Sequence, residues 1–407
     1  MQTNLADLVK DTREGKEADA ILRTCVHCGF CLASCPTYQL LDDELDSPRG
    51  RIYLMKEVLE GQVATQKTQL HLDRCLTCRA CETACPSGVR YGRLIDICRN
   101  VVEKQVERSV KTKVIRYTLR QILPNLNIFM VFLKIGQAVK PLLPKEIRGL
   151  IPSKSRDSGI WPPARHKRKM LVLDGCVQPS IAPNINAATA RILDKIGISL
   201  IKAEKENCCA IPKLELGNLD AVEDAKNINI PILAKLVDEG WDLTALIPSC
   251  VIMFKQELPL LFSDNKDVQL VSKAICDPFE YLLKLHNNGS LMMNFKNDIG
   301  SVFYQVACHQ RVQNIGQVTK KILELVPNTK INALERCSGH DGTYGVKVET
   351  HEIAIKIAMP IVREYEKLHS TQFTSDCTLA AHHVVNAMGN KVLPTHPIAL
   401  MRKAYGL

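Results

Sequence analysis

Eight of the 17 cysteines fall into two copies of one spacing, Cys25-x2-Cys28-x2-Cys31-x3-Cys35-Pro36 and Cys75-x2-Cys78-x2-Cys81-x3-Cys85-Pro86, each member displaced by 50 positions. Thiolates are soft ligands, and a loop with this spacing can turn three of them onto one iron cluster. In the two-cluster form of the pattern, the fourth cysteine of each motif crosses to the other cluster. The expected sets are therefore Cys25, Cys28, Cys31 and Cys85 around one [4Fe-4S] cubane, and Cys75, Cys78, Cys81 and Cys35 around the other. Crossed ligands hold two centres close together, and the chemistry they offer is electron transfer. Structural zinc is the competing reading, but it takes paired hooks separated by a longer spacer, with no use for a third cysteine and a C-P step. His27 lies inside the first motif, yet the ligand count is complete without it.

A second, looser repeat carries more sulfur. KMLVLDG leads to Cys176, ISLIKA to Cys208-Cys209 and TALIPS to Cys250; later VFYQVA leads to Cys308, INALER to Cys337 and TQFTSD to Cys377. The paired cysteines are offset by 132, 129 and 127 positions, so the order is kept while loops change slightly. An adjacent pair joined by two distant cysteines is hard to explain as packing, and Cys176, Cys208, Cys209 and Cys250 form the candidate third centre. The later copy is weaker: Ser338 replaces half of the pair, leaving Cys308, Cys337 and Cys377. Nearby His309, His340, His382 and His383 could add nitrogen, though a hydrogen-bonded or exposed histidine is the default for each. Cys98 and Cys276 have no partner at ligand spacing and read as small buried apolar side chains.

The elements that must position these groups are of two kinds. Around the first motifs the pattern is helical, with one helix over PRGRIYLMKEVLEG closing at Gly61 and another expected from Asp73 into the second motif. From about residue 169, short β-branched runs alternate with amphipathic stretches, such as NINAATARILDKIG and about Asp220 to Glu239. That alternation indicates α/β units with cysteines at the carboxyl ends of strands, where parallel sheets gather ligand sites. The fold class is α+β and multidomain: a mainly helical two-cluster part (1–108), a basic helical connector (109–168), and two similar α/β lobes (169–290 and 291–407).

The net charge of +10 comes largely from Lys104 to Lys169. No nucleic-acid recognition motif accompanies it and base-stacking aromatics are scarce, so an anionic membrane surface or an acidic protein is the better partner class. Within the connector, IFMVFLKIG (Ile128 to Gly136) is far shorter than the roughly 20 residues a bilayer span requires. An interfacial helix is compatible with it, and so is a plain core helix. SKSRDSGIWPPARHKRK reads as a flexible linker. Met1 to Lys16 lacks the apolar segment of a secretory signal, which predicts a cytoplasmic chain with reduced thiols, peripheral on the inner face of the membrane.

The stretch CVHCGFCLASCPTYQLLDDELDSPRGRIYLMKEVLEG, with HLDRCLTCRACETACPSGVRYGRLID after it, resembles the iron-sulfur subunits of flavin-linked respiratory dehydrogenases, in particular the glycolate oxidase family. ACHQRVQNIGQ, ERCSGHDGTYGVK and HPIALMRKA are more similar to the iron-sulfur subunit family of anaerobic glycerol-3-phosphate dehydrogenase. The second half then resembles the duplicated cysteine-rich, or CCG, domain also found in heterodisulfide reductase. The fullest form of that domain carries five cysteines per lobe. Here Met253, Ala380 and Ser338 stand at three of those positions, so neither lobe has all five. The resemblance implies a protein that takes electrons from an FAD-dependent dehydrogenase subunit and passes them toward membrane quinone. The ligand count, four cysteines in lobe one against three in lobe two, puts any third centre in lobe one and leaves lobe two as a docking or quinone-facing surface. No Gly-x-Gly-x-x-Gly is present, so the FAD is expected on the partner chain. The alternative is a stand-alone heterodisulfide reductase-like thiol/disulfide oxidoreductase.

Overall fold

Apolar runs of four or five residues, too brief for helices and rich in Ile, Leu and Val, build two sheets in the computed structural model. Strands β1 (Arg168–Leu173), β2 (Ile198–Lys202), β3 (Asp242–Ala245) and β4 (Ile275–Cys276) form one sheet in the order β2-β1-β3-β4. Strands β5 (Ser301–Gln305), β6 (Lys330–Leu334), β7 (Gln372–Thr374) and β8 (Pro394–Thr395) form the other in the order β6-β5-β7-β8. Every pairing is parallel; Met170 aligns with Leu200 on one side and Asp242 on the other, as Phe303 does with Asn332 and Phe373. The two sheets thus repeat one topology. Parallel neighbours need crossovers, and helices Pro183–Lys195 and Leu219–Asp238 supply them in the first sheet. Val318–Leu323, Val348–Leu368 and Thr378–Ala387 do so in the second. Strands β4 and β8 were not anticipated, because two residues carry no readable period.

The structure describes residues 1–122, 125–144, 148, 151, 159–203, 208–368, 370 and 372–407. They form two compact units. The first comprises Met1–Tyr117, Pro212–Val222 and Cys337–Ala358, and the second Thr118–Ile211, Glu223–Arg336 and Met359–Leu407.

The first unit is helical. Thr12 caps Arg13–Thr24 by accepting from the Gly15 N–H, and Ser47 caps Pro48–Leu59 by accepting from the Gly50 N–H. These helices and Tyr91–Gln105 close over a core that includes Leu22, Met55, Leu59, Leu94 and Cys98. The helix expected to start at Asp73 instead occupies Gln66–Asp73 and stops there. The residues beyond it include Thr77 and Arg79 at φ of 42° and 51°, a left-handed conformation no α-helix accommodates.

In the second unit both sheets contribute to one apolar core, from Met170 and Leu200 to Tyr304 and Ile331. Cys276 sits in β4, where burial pushes its thiol up to about 12, consistent with a packing role. The connector holds helices Val110–Ile122 and Leu126–Val139. The linker expected over 153–169 falls partly on residues 152–158, outside the described residues. Its remainder is tied to β2: the Trp161 Nε1–H donates to the Leu200 carbonyl at 3.0 Å, and the Arg165 and His166 N–H groups donate to Ser199 Oγ. Among the described residues, no helix is long and apolar enough to cross a membrane.

Candidate metal centres

The two cysteine motifs repeat in backbone as well as in sequence. His27 and Gly29 flank Cys28 at φ of 55° and 86°, and Thr77 and Arg79 flank Cys78 in the same left-handed region. Three of these four are not glycine, and an L-residue held there costs roughly 1–2 kcal/mol. Strain of this kind collects where a loop must wrap tightly around something. Each loop wraps a cavity. Cys25, Cys28, Cys31 and Cys85 line one, and Cys35, Cys75, Cys78 and Cys81 line its neighbour. Cys81, Pro48 and Tyr91 border both, so one layer of side chains separates them. The structure therefore brings Cys85 to the first motif and Cys35 to the second.

The surroundings suit an iron-sulfur group. Two concave thiol sets with apolar wall residues, Ile52 and Val89 among them, offer soft ligands. Burial pushes the Cys31 thiol up to about 11, and the Cys81 thiol well above its ordinary value. Cys31 and Cys81 would therefore be neutral thiols in the absence of metal, and a bound cation is what would hold them as thiolates. Hydrogen bonds to sulfur tune such centres: Thr37 Oγ1 lies 3.2 Å from Cys35 Sγ and the Tyr91 hydroxyl donates to Cys75 Sγ at 3.7 Å.

A buried charge network holds this arrangement in place. Arg51, 1% exposed, donates from Nε to the His71 carbonyl at 2.7 Å and from Nη1 to Thr37 Oγ1 at 3.1 Å, with Cys35 Sγ 4.0 Å from Nη1. Its Nη2 meets Asp46 Oδ1 at 3.2 Å; Asp46 also pairs with Arg74 at 2.8 Å and His71 at 3.0 Å. Asp43, Asp46 and His71 have ligand atoms within 4.8 Å of one another. The two arginines already neutralise Asp46, so the group is an ion-pair network. On the other side, Arg99 donates to the carbonyls of Leu72, Cys75 and Glu215, and Thr77 donates to Asp341 Oδ1 at 2.7 Å. Burial raises the Asp341 carboxyl to about 6. Sequence reasoning missed Arg51, Asp46, Tyr91, Thr37 and Asp341. The one available signal was PRGR, an arginine placed inside an otherwise apolar helix face.

In the first α/β lobe the four expected cysteines converge. Cys176 follows β1, Cys208 and Cys209 follow β2, and Cys250 lies on Pro248–Ile252 after β3. Cys208 Sγ is 3.4 Å from Cys176 Sγ, and Cys209 Sγ is 3.3 Å from Cys250 Sγ, with all four residues buried. Hydrogen bonding within the set, then burial, pushes the Cys176 and Cys209 thiols well above their ordinary range. Ala210 is left-handed at φ 73°, and so is Gly175 at φ 70°, where a side-chain carbon would lie 3.6 Å from Cys250 Sγ.

The second lobe differs. Cys308 and Cys377 each open a short helix after a strand and are close enough to interact electrostatically, whereas Cys337 belongs to the other unit. His309 Nδ1 is 2.8 Å from Ser249 Oγ, an ordinary hydrogen bond.

Comparison with known proteins adds the family. Residues 21–89 match the 4Fe-4S dicluster domain and residues 170–255 the cysteine-rich domain. The glycolate oxidase iron-sulfur subunit of Escherichia coli is 40% identical over 350 residues, which cover 85% of this chain and 86% of that one. The chain belongs to the glycolate oxidase iron-sulfur subunit family. A probable glycolate oxidase iron-sulfur subunit of Bacillus subtilis is 26% identical, covering 95% of this chain and 94% of its own. One subunit of the dihydromethanophenazine:CoB–CoM heterodisulfide reductase of Methanosarcina acetivorans is 23% identical, covering 90% and 88%. As a member of this family the chain is an iron-sulfur electron-transfer protein that carries 4Fe-4S clusters.

Proposed function

We propose that the chain receives electrons from an FAD-dependent dehydrogenase subunit that oxidises a 2-hydroxy acid or, as the resemblance of the later segments suggests, glycerol 3-phosphate, and relays them toward membrane quinone. The observation that carries the reading is the pair of adjoining thiol cavities. Cys25, Cys28, Cys31 and Cys85 would hold one [4Fe-4S] cluster, and Cys75, Cys78, Cys81 and Cys35 the other. Iron in those cavities supplies one-electron chemistry. The chain itself supplies eight thiolates, largely apolar walls, and the buried Arg51, whose positive charge offsets negative charge at Cys35.

Cys176, Cys208, Cys209 and Cys250 would hold an additional iron-sulfur centre in the first CCG lobe. The second sheet is a matching CCG lobe with fewer sulfur ligands: Cys308, Cys337 and Cys377, with Ser338 in place of the second member of the pair. At the fifth ligand position of lobe one, Met253 is fully buried and offers only a thioether. That supports the relay over stand-alone disulfide reduction.

Peripheral attachment to the inner face of the cytoplasmic membrane would fall to helix Leu126–Val139. Ile128, Val131, Phe132, Ile135 and Val139 are exposed at helical spacing, with Lys134 exposed beside them. Such a stripe suits burial at the boundary between head groups and acyl chains.

The test is anaerobic purification followed by metal analysis and partner-driven reduction. At least eight iron atoms per chain are expected from two cubanes, and reduction by the flavoprotein plus its substrate. Four or fewer, with zinc making up the difference, would overturn the reading. Cys209→Ser should slow transfer to a quinone analogue and leave cluster reduction intact; the same effect from Cys337→Ser, and none from Cys209→Ser, would place the terminal site in the wrong lobe.

A further inference from the structure

In the first lobe, a cavity of about 590 Å³ lined in part by the residues that follow Cys176 has no part in the relay so far. We infer that it is the binding site for the quinone head group, which places the quinone at lobe one and not at lobe two; the inference rests on the relay reading above.

The volume falls within the range of small-molecule sites, about 300–1,000 Å³. Its walls are apolar and partly flat: Met130 from helix Leu126–Val139, the Trp161 indole, Pro179 and Pro183. Trp161 is fixed by its bond to the Leu200 carbonyl, so its ring is a preformed stacking surface. Two polar groups interrupt these walls. Lys202 Nζ lies 3.1 Å from Asp174 Oδ2 and 4.8 Å from the centre of the Trp161 ring. Asn186 is 2% exposed; its Nδ2 donates to Asp174 Oδ1, which turns the Asn186 Oδ1 the other way, and that oxygen has no partner among the described residues. A buried amide oxygen without a partner costs about 1–3 kcal/mol, and a ligand hydroxyl would relieve the cost. A quinone presents carbonyl oxygens that a lysine ammonium can serve, and a quinol presents hydroxyls that the Asn186 oxygen can accept. One donor and one acceptor on an apolar, ring-sized cavity match that couple.

Position supports the same ligand. Asp174, which holds both polar groups, is two residues from Cys176, and Pro179 is three residues beyond it. Three residues span at most about 10 Å of backbone, so the wall of the cavity is a short covalent step from a thiol of the third centre. Met130 comes from the helix whose other side chains form the exposed apolar stripe, a suitable approach for a ligand with a hydrocarbon tail. Reduction of a bound quinone to quinol takes two electrons, which the relay proposed above would supply, and two protons, which solvent can supply beside the exposed Lys202; two O–H bonds are formed.

The test uses the full chain, purified anaerobically, in a Trp241→Phe background that leaves Trp161 as the sole tryptophan. Titration with decylubiquinone should quench its fluorescence saturably. Lys202→Met and Asn186→Leu should each raise the Kd about tenfold, the effect of one hydrogen bond. Their circular dichroism and iron content should match the parent. Quenching that never saturates, or a Kd unchanged in both variants, overturns the site. So does displacement of the quinone by lysophospholipid at equal concentration, which would make the cavity a lipid site. Quinone reduction by the dithionite-reduced chain separates the two readings. Reduction at the parental rate in both variants removes the cavity and leaves the relay standing. No reduction by the parent, with electrons still passing to a soluble acceptor, removes the quinone from the relay itself.

Discussion

Replacing Arg51 by Met removes the buried positive charge nearest to Cys35 and keeps most of its volume. Breaking a buried pair from one side costs about 3–5 kcal/mol. Asp46 would keep Arg74 at 2.8 Å and His71 at 3.0 Å, so a loss of about 2–3 kcal/mol is the better figure for this site. The redox effect follows from the 4.0 Å between Nη1 and Cys35 Sγ. At an effective dielectric near 20, a full unit charge at that sulfur would interact by about 4 kcal/mol. An electron shared across a four-iron cluster places roughly a quarter of that charge on the Cys35 side, leaving about 1 kcal/mol, or about 40 mV for one electron. Without the cation the reduced cluster is less favoured, so its midpoint potential should fall by that amount. The cluster held by Cys25, Cys28, Cys31 and Cys85 should move much less. A potentiometric titration followed by electron paramagnetic resonance reads both. A rise in potential, or equal shifts of both clusters, would refute the reasoning, since the first reverses the sign and the second places Arg51 equidistant from the two.

Cys35→Ser should damage the cluster of the second motif and Cys85→Ser that of the first, each seen as partial iron loss with a changed resonance from the opposite motif; unchanged spectra in both would exclude crossed ligation. Asp341 has a folded-state value of about 6 against an ordinary 3.8, so the folded chain binds its proton more tightly and this group's contribution to stability is lost as pH rises from about 4 to 6. Asp341→Asn keeps an acceptor for Thr77 and should gain roughly 1–2 kcal/mol at pH 7 while flattening that pH window, measured as the difference between parent and variant denaturation curves. Phe132→Glu with Ile135→Glu should release the chain from anionic vesicles in a flotation assay. Salt should weaken what binding remains, because screening acts over about 10 Å at 0.1 M ionic strength.

Much of this was legible because sulfur and sheets leave strong marks. The motif spacing named the eight cysteines that line the two cavities, and alternating β-branched runs located the six longer strands within a few residues. What stayed hidden depends on long-range packing. Nothing local marks Arg51 as the neighbour of Cys35, since a helical arginine is normally solvated. Thr77 meets Asp341 across 264 positions, a pairing no periodicity encodes. The start of a helix at Asp73 was misread because LDRCLTCRACETAC has helical composition, and the left-handed turns at Thr77 and Arg79 override it. Asn186 looked like one polar residue on an amphipathic helix. Only its hydrogen bonds in the fold show that its oxygen has no partner among the described residues.

The iron-bearing unit is discontinuous: both cysteine motifs lie before residue 117, but Pro212–Val222 and Cys337–Ala358 belong to it as well. A ribosome adding about 5–20 residues per second needs roughly 20–70 seconds to reach residue 358. For the part of that interval after residue 85, all eight cysteines of the two motifs have been made, while Glu215, a partner of Arg99, and then Asp341, the partner of Thr77, come much later. Iron delivery in the cell therefore has a natural order, in which an insertion machinery that waits for the nearly finished chain meets a braced site and one that acts early meets a half-built one. A truncated chain ending after the motifs would carry the ligands without the brace, and so would be a substrate for proteolysis before it became a carrier of electrons.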